Sequence, residues 1–336
     1  MLRSMYSGIS GLKNFQTKLD VIGNNIANVN THGFKKGRVV FKDLISQTQS
    51  SASGATTTVG GINSKQVGLG STIAAIDTIH GGGSIQTTGR GLDFAIEGEG
   101  FFMVADASDD FVRYDSKDPT STETAGTAGV GGTSFTNVLY TRSGNYYMDN
   151  DGYLVNADGK YLVGVSPEDS ILSTDYPTVP AAGTPTTEDL TPNDDPATPW
   201  EVPAASNGAG VYKPIKLPTD AKSFSVGQDG TVTFVDSNGD LRWAGQLVLS
   251  KFPNAGGLEK VGNNYYTVTA NSGEPYTQAG TVAGMGKIVS GALEMSNVDL
   301  SEEFTEMIVA QRGFQANTRI ITTSDEILQE LVNLKR

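Results

Sequence analysis

The residues with the most chemistry to offer are few. His32 and His80 are the only two histidines, and cysteine is absent. Neither histidine has a second one at helical spacing, so a multi-histidine metal site cannot be built, and both read as structural or exposed. Without thiols there is no disulfide framework, thiolate nucleophile or sulfur-ligated metal. Carboxylate pairs at Asp109-Asp110, Glu168-Asp169 and Asp194-Asp195 could serve acid–base chemistry, as paired acids do across a glycosidic bond. They lie in solvated, proline-bearing tracts that lack the rigid pocket needed to tune a carboxyl pKa. Asp149-Asn150-Asp151-Gly152 with Asp158 resembles a calcium loop. Its first ligand position would be Tyr147, however, and its flanks read as strands, so a hairpin turn is the better reading. There is no Gly-x-Ser-x-Gly elbow and no Gly-x4-Gly-Lys-Ser/Thr loop. The expectation is a non-enzyme with no catalytic residue, no metal and no cofactor.

Charge and proline divide the 336 residues further. The formal net charge is −13, which argues against a nucleic-acid partner, because phosphate binding draws on clustered Lys and Arg. Residues 106–211 hold 17 acids and 4 bases, so the middle of the chain accounts for the whole excess. Ten of the 13 prolines, from Pro167 to Pro218, fall in one stretch of Thr, Ser, Ala and acids. That composition suits neither a packed helix nor a central strand, and it predicts a low-complexity acidic insertion over 166–211, with a similar one near 106–138. No run reaches the ~18 apolar residues of a membrane span, and the first thirty residues lack the pattern of a cleaved signal peptide. No membrane insertion is expected.

The ends have a different period from the middle. Leu2, Met5, Ile9, Leu12, Leu19, Ile22 and Ile26 follow heptad-like spacing, broken by Gln16 and Gly23, and the pattern dissolves in Asn28-Val29-Asn30-Thr31-His32-Gly33. Phe304, Met307, Phe314, Ile321, Leu328 and Val332 form a second stripe, broken by Gln311, Thr318 and Asp325. Asp299 or Ser301 can cap that helix, and Glu302, Glu303 and Glu306 suit its positive end. Between the ends, strand-turn-strand patterns run through Tyr146–Val163 and Phe224–Phe252. The fold class is therefore α+β: paired terminal heptad helices, expected as a coiled coil, flanking a mainly antiparallel β domain with low-complexity insertions. The expected divisions are 1–30 plus 298–336 for the helices, 31–70 for an extended brace, 71–165 plus 212–297 for the β domain and 166–211 for the insertion. Polar interruptions in both seams favour a helical array over a simple pair.

Ser7-Gly8-Ile9-Ser10-Gly11-Leu12 and Leu19-Asp20-Val21-Ile22-Gly23-Asn24-Asn25-Ile26-Ala27-Asn28, continuing to Gly33-Phe34-Lys35, resemble the N-terminal signature of bacterial flagellar rod and hook proteins. Thr88–Phe102, Tyr140–Asn145, Gly291–Leu300, Met307–Asn317 and Leu331–Leu334 are similar to further segments of that family. The resemblance covers all but the two insertions. Within the family, Thr88-Gly89-Arg90-Gly91-Leu92-Asp93 and the Leu331–Leu334 ending look more like the hook branch, of Gram-positive type, than the distal-rod branch. The short proline-rich tract departs from the large outer β domain that hook proteins often carry, which keeps the rod alternative open.

This resemblance implies a subunit exported by the flagellar type III apparatus without a cleaved signal and polymerised with itself into a curved tube, a universal joint between rod and filament. It implies rod, hook-cap and hook–filament-junction proteins as partners, a location in the hook and basal body outside the cell, assembly through the terminal helices, and a linker motif at Asn24, Asn25, Asn28, Gly33 and Phe34. A monomeric adhesin and a carbohydrate-active enzyme are the competing classes, neither supported by a motif.

Overall fold

The computed structural model describes residues 2–55, 57–58, 60–107, 135–165, 212–282 and 284–334. Both predicted insertions lie largely or wholly outside the described residues. The chain separates into two compact units: residues 1–30, 35–81 and 297–336 form one, and residues 31–34 with 82–296 form the other. These divisions differ from the expected ones. Residues 71–81 belong with the helices, and 31–34 belong with the β domain.

The first unit is built on α1 (Leu2–Ala27) and α2 (Leu300–Asn333), both close to their expected spans. Three glycines within α1, at positions 8, 11 and 23, each cost about 1 kcal/mol relative to alanine, so α1 depends on packing rather than propensity. Helix α2 starts where Asp299 accepts hydrogen bonds from the Ser301 and Glu302 amides at 2.8 and 3.4 Å. Glu302 and Glu303 follow in its first turn, near the positive end of the helix dipole.

The expected extended brace is folded into antiparallel ribbons. Strand β1 (Gly37–Asp43) leads to β2 (Ser46–Ser50), then β3 (Lys65–Gly68) and β4 (Ser71–Thr78). β1 pairs with β4, with a register shift between Val40 and Phe41, and β2 pairs with β3. Every residue of β2 and β3 is exposed. Lys35 is fully buried at the entrance to this excursion, and its Nζ donates to the Gly81 carbonyl at 2.9 Å at the exit.

The second unit begins with β5 (Ile85–Thr87), β6 (Phe94–Glu97), β7 (Phe101–Ala107) and β8 (Phe135–Thr141). The expected meander follows as β9 (Tyr146–Met148), β10 (Leu154–Asn156) and β11 (Tyr161–Val165). Next come β12 (Lys213–Pro214), β13 (Ser223–Val226), β14 (Thr231–Val235) and the 11-residue β15 (Leu241–Lys251). The unit closes with β16 (Glu259–Gly262), β17 (Tyr265–Thr267), β18 (Tyr276–Ala279), β19 (Lys287–Ser290) and β20 (Ala292–Glu294). The main sheet runs β13-β14-β15-β11-β7-β8-β17-β16, with β10, β12 and β18 branching from it, and its pairings are antiparallel.

The apolar run Phe101-Phe102-Met103-Val104-Ala105 has a direct physical reason. Phe102 and Val104 enter one core with Phe94, Tyr146, Leu154, Leu247 and Phe234. Phe101, Met103 and Ala105 enter a second, on the opposite face, with Tyr140, Val163, Phe252 and Tyr266. A strand buried on both faces reads as a continuous hydrophobic run rather than an alternating one. Aromatic edge-to-face contacts lock the second core: Tyr140 and Phe252 lie 4.9 Å apart between centroids, Phe101 and Tyr266 5.6 Å.

Burial in and beside that second core pushes the Tyr140 and Tyr212 hydroxyls up to about 12. The ordinary value in an unfolded chain is about 10. Because the folded-state values are raised, their contribution to stability is fully present below about pH 10 and is lost as pH climbs toward 12. Tyr140→Phe should therefore reduce the alkaline loss of unfolding free energy, measured by denaturant titration between pH ~9 and ~12, by an amount on the order of 2 kcal/mol. An unchanged alkaline profile in the variant would count against burial of this hydroxyl.

Candidate functional site

The resemblance places function in the terminal helices. These run antiparallel, but the seam between them differs from the expected apolar stripe. The buried and half-buried residues of α2 are Glu303, Met307, Ala310, Gly313, Asn317, Ile321, Ser324 and Leu328. Three of the expected residues, Met307, Ile321 and Leu328, lie on this face. Phe304, Phe314 and Val332 do not: each is exposed on the single chain. On α1, Ile22 is buried, Met5, Leu12, Leu19 and Ile26 are half-buried and Ile9 is exposed, while Leu2 opens the helix.

Small and polar residues set the closeness of approach. A methyl group at Gly11 would stand 2.7 Å from the Asn317 amide, and one at Gly313 would stand 2.6 Å from the Phe15 ring. The two glycines are notches that accept side chains of the opposite helix. Phe15 also meets Phe41 of β1 edge-on, at 6.1 Å between centroids, so one ring joins α1, α2 and the β1–β4 ribbon.

Hydrogen bonds set the register. The Asn25 side chain, 2% exposed, accepts from the Gly37 amide at 2.9 Å and donates to the Gly37 carbonyl at 2.9 Å and to Glu303 Oε2 at 3.1 Å. One buried amide thus pins α1 to both β1 and α2. Lys18 pairs with Glu306, and Lys36 with Glu302 at 2.6 Å. Asn14 donates to Ser71 Oγ at 2.8 Å. Asn297 accepts from the Lys36 amide at 2.8 Å and donates to the Ile79 carbonyl at 2.8 Å, joining the root of α2 to both ends of the ribbon.

The other motif residues have separate tasks. Asn24 is exposed, and its carbonyl and Oδ1 both accept from Asn28 Nδ2 at 2.9 Å, which closes the end of α1. Gly33 and Phe34 are buried in the second unit, where the Lys260 ammonium sits 4.9 Å above the Phe34 ring. The motif is therefore not one cluster. Sequence reading gave no seam role to Asn14, Lys18, Lys35, Asn297 and Asn317 and placed Glu303 and Glu306 only by the helix dipole, because it built the seam from apolar positions. Glu303, Met307, Ala310, Asn317, Ile321 and Ser324 recur three, four or seven apart, and a pattern admitting polar residues would have found them.

Two apolar faces of α2 remain uncovered beside the seam. Leu300, Phe304 and Ile308 follow one another at four-residue steps, and Ile320, Ile327, Leu331 and Leu334 share a second face nearer the other end. Phe304 is 49% exposed and Leu331 48%. Tyr6 and Ile9 add exposed apolar surface on α1. Among the described residues there is no group of three or more His, Asp or Glu side chains placed to hold a metal. No helix among them is long and apolar enough to cross a membrane.

Three family descriptions match the chain: "Flagella basal body rod protein" over residues 5–35, "Flagellar hook protein FlgE/F/G D1 domain" over 133–234 and "Flagellar basal body rod FlgEFG protein C-terminal" over 289–334. The flagellar basal-body rod protein FlgG of Bacillus subtilis is 49% identical over 338 aligned positions, covering all of both chains. The flagellar hook protein FlgE of Borreliella burgdorferi is 32% identical, also end to end, over 469 positions, and the rod protein FlgG of the same organism is 30% identical over 341. The chain belongs to the flagellar rod and hook protein family.

The pins make a contrast that can be measured. Asn25→Ala strands the Gly37 amide and carbonyl together with Glu303, and should cost the first unit about 2–4 kcal/mol by calorimetry. Asn24→Ala, at an exposed position, should cost under ~1 kcal/mol. Equal effects would show that the buried amide does not set the register.

Proposed function

We propose that this chain is a structural, non-catalytic subunit that polymerises with itself, through its terminal helices, into an axial tube of the bacterial flagellum, and that it is of the distal-rod type. The observation that carries self-assembly is the division of labour on α2. Its intrachain seam mixes Met307, Ala310, Ile321 and Leu328 with Glu303, Gly313, Asn317 and Ser324, whereas Phe304, Ile308, Ile327 and Leu331 stay bare. A helix with apolar side chains on more than one face requires more than one neighbour. The β2–β3 ribbon supports the same reading, since a two-stranded ribbon exposed along its whole length is marginal alone, and Leu44, Ile45 and Ile62 beside it are bare as well.

The sequence alone favoured the hook. Length and identity support the rod instead: the 49% identical rod relative aligns over 338 positions, almost this chain's own 336, whereas the hook relatives align over 469 and 481. The longer hook relatives have residues with no counterpart here. The 32% end-to-end identity to hook proteins sustains the hook as the second reading. In either case torque passes along helices held to neighbours by apolar contacts. Export through the flagellar type III apparatus and end-on contact with other rod or hook components belong to the same proposal.

Electron microscopy of tubes grown from the purified chain separates the two: straight tubes support the rod and curved ones the hook. Phe304→Asp and Leu331→Asp should each raise the critical concentration for polymerisation about tenfold or more, from an estimated loss of 1–2 kcal/mol per half-buried apolar contact. Monomer melting should be unchanged, because neither side chain is on the intrachain seam. Tubes that form normally from both variants would dismiss these faces as the assembly surface.

A further inference from the structure

A buried ion pair lies within the second unit at the segments that lead into and out of the 35–81 excursion. Arg142 Nη1 donates to Glu294 Oε2 at 3.2 Å, with side-chain exposures of 3% and 1%. Glu294 makes two further bonds at this point. Its Oε1 accepts from the Gly83 amide at 2.9 Å, and its backbone carbonyl accepts from the Gly33 amide at 2.8 Å. Arg142 Nη2 reaches the Gly98 carbonyl at 2.9 Å, and the guanidinium lies 5.2 Å from the centre of the Phe101 ring. Residues 33 and 83, on either side of the excursion, thus end on one glutamate.

The surroundings bring these segments directly against the ion pair. Gly33 has φ +70°, and a methyl group there would come within 2.7 Å of the Arg142 backbone, so the segment lies directly on the chain that carries the cation. Further contacts reinforce both segments: the Asn264 amide donates to the His32 carbonyl at 3.1 Å, Lys260 sits over the Phe34 ring, and the Met295 amide donates to the Ser84 carbonyl at 2.8 Å. Arg142 Nε is buried without a partner among the described residues, and burial pushes the guanidinium pKa down against the pull of Glu294. A buried pair of this kind contributes little net stability compared with apolar packing, and its worth lies in fixing one arrangement. The guanidinium borders the second core at Phe101, whereas Phe102, Val104, Leu247 and Leu249 belong to the first core.

We propose that Arg142 and Glu294 form a latch that holds residues 31–34 and 82–84 on the β domain, and that opening it releases both segments together while the sheet stays folded. Freed, the four residues of one segment extend to roughly 14 Å and the three of the other to roughly 10 Å, so both covalent connections to residues 35–81 would gain slack at once. The latch is a positioning device and has no chemical step. It stands whether the tube is a rod or a hook, and whether or not the chain polymerises.

Native-state hydrogen exchange on the full-length chain tests it. In the wild type, the Gly33 and Gly83 amides should exchange with protection equal to within threefold and at least tenfold below that of the β7 and β15 amides. Exchange of the two at rates more than tenfold apart, or only with global unfolding, would overturn the proposal. The double variant Arg142→Met/Glu294→Leu keeps the site filled and removes the charges. It should lower protection at both glycines at least tenfold and leave β7 and β15 within threefold of wild type. Unchanged glycine protection would overturn the latch, as would parallel loss across β7 and β15, which would mark the pair as ordinary core. Arg142→Lys keeps the charge but not the simultaneous reach to the Glu294 carboxylate and the Gly98 carbonyl, and should fall between these limits.

Discussion

The geometry of the terminal helices depends on how closely α1 and α2 can approach. Gly11 and Gly313 remove side chains where Asn317 and Phe15 must fit, and Asn25 fills its place with hydrogen bonds to Gly37 and Glu303 instead of apolar contact. Such a seam is specific, and although Met307, Ile321 and Leu328 lie on it, Phe304, Ile308, Ile320, Ile327 and Leu331 are directed elsewhere. The economy is consistent with an assembling subunit: polar pins fix one register within the chain, while hydrophobic surface, which is non-directional, is kept for neighbours.

The β domain solves a different problem. Its central strands β7, β11 and β15 contribute to cores on both faces of the sheet, with Leu162 and Leu247 on one and Val163 and Val248 on the other. Both faces of these strands are therefore occupied, and the charged groups are left to turns and strand ends. Lys160 pairs with Asp106 at 2.7 Å and Lys251 with Glu99 at 2.6 Å, and both carboxyls are held below their ordinary pKa chiefly by these hydrogen bonds. The Lys251–Glu99 pair, being largely exposed, contributes little to stability.

What the sequence made legible follows from the range of the interactions involved. The two helices, the Asp299 cap and the meander from Tyr146 to Val163 rest on spacing within a few residues, and all were readable. The stripe Phe304, Phe314, Val332 was readable as apolar, but periodicity cannot say whether a face is covered by the same chain or left bare, and in one chain these three are bare. The pairing of β1 with β4, and the attachment of Gly33 to Glu294, join distant positions through backbone groups that leave no mark on residue type. Asn25 was visible as a motif residue, yet its role as a three-way pin required knowing what lay opposite.

The separation in sequence between α1 and α2 has a kinetic consequence. The Asn25–Glu303 bond joins residues 278 apart, and nearly the whole chain must be present before it can form. Loop closure over such a distance carries an entropic cost before any contact repays it, and high contact order slows folding. Helix α1, weakened by its own glycines, can meet β1 and β4 early through Asn25, Phe15 and Asn14, but its seam with α2 must wait for the far later part of the chain. The order of residues along the chain is thus a timer: the sheet and the β1–β4 ribbon can consolidate from their own strands, whereas the seam between α1 and α2 stays open until α2 has been made.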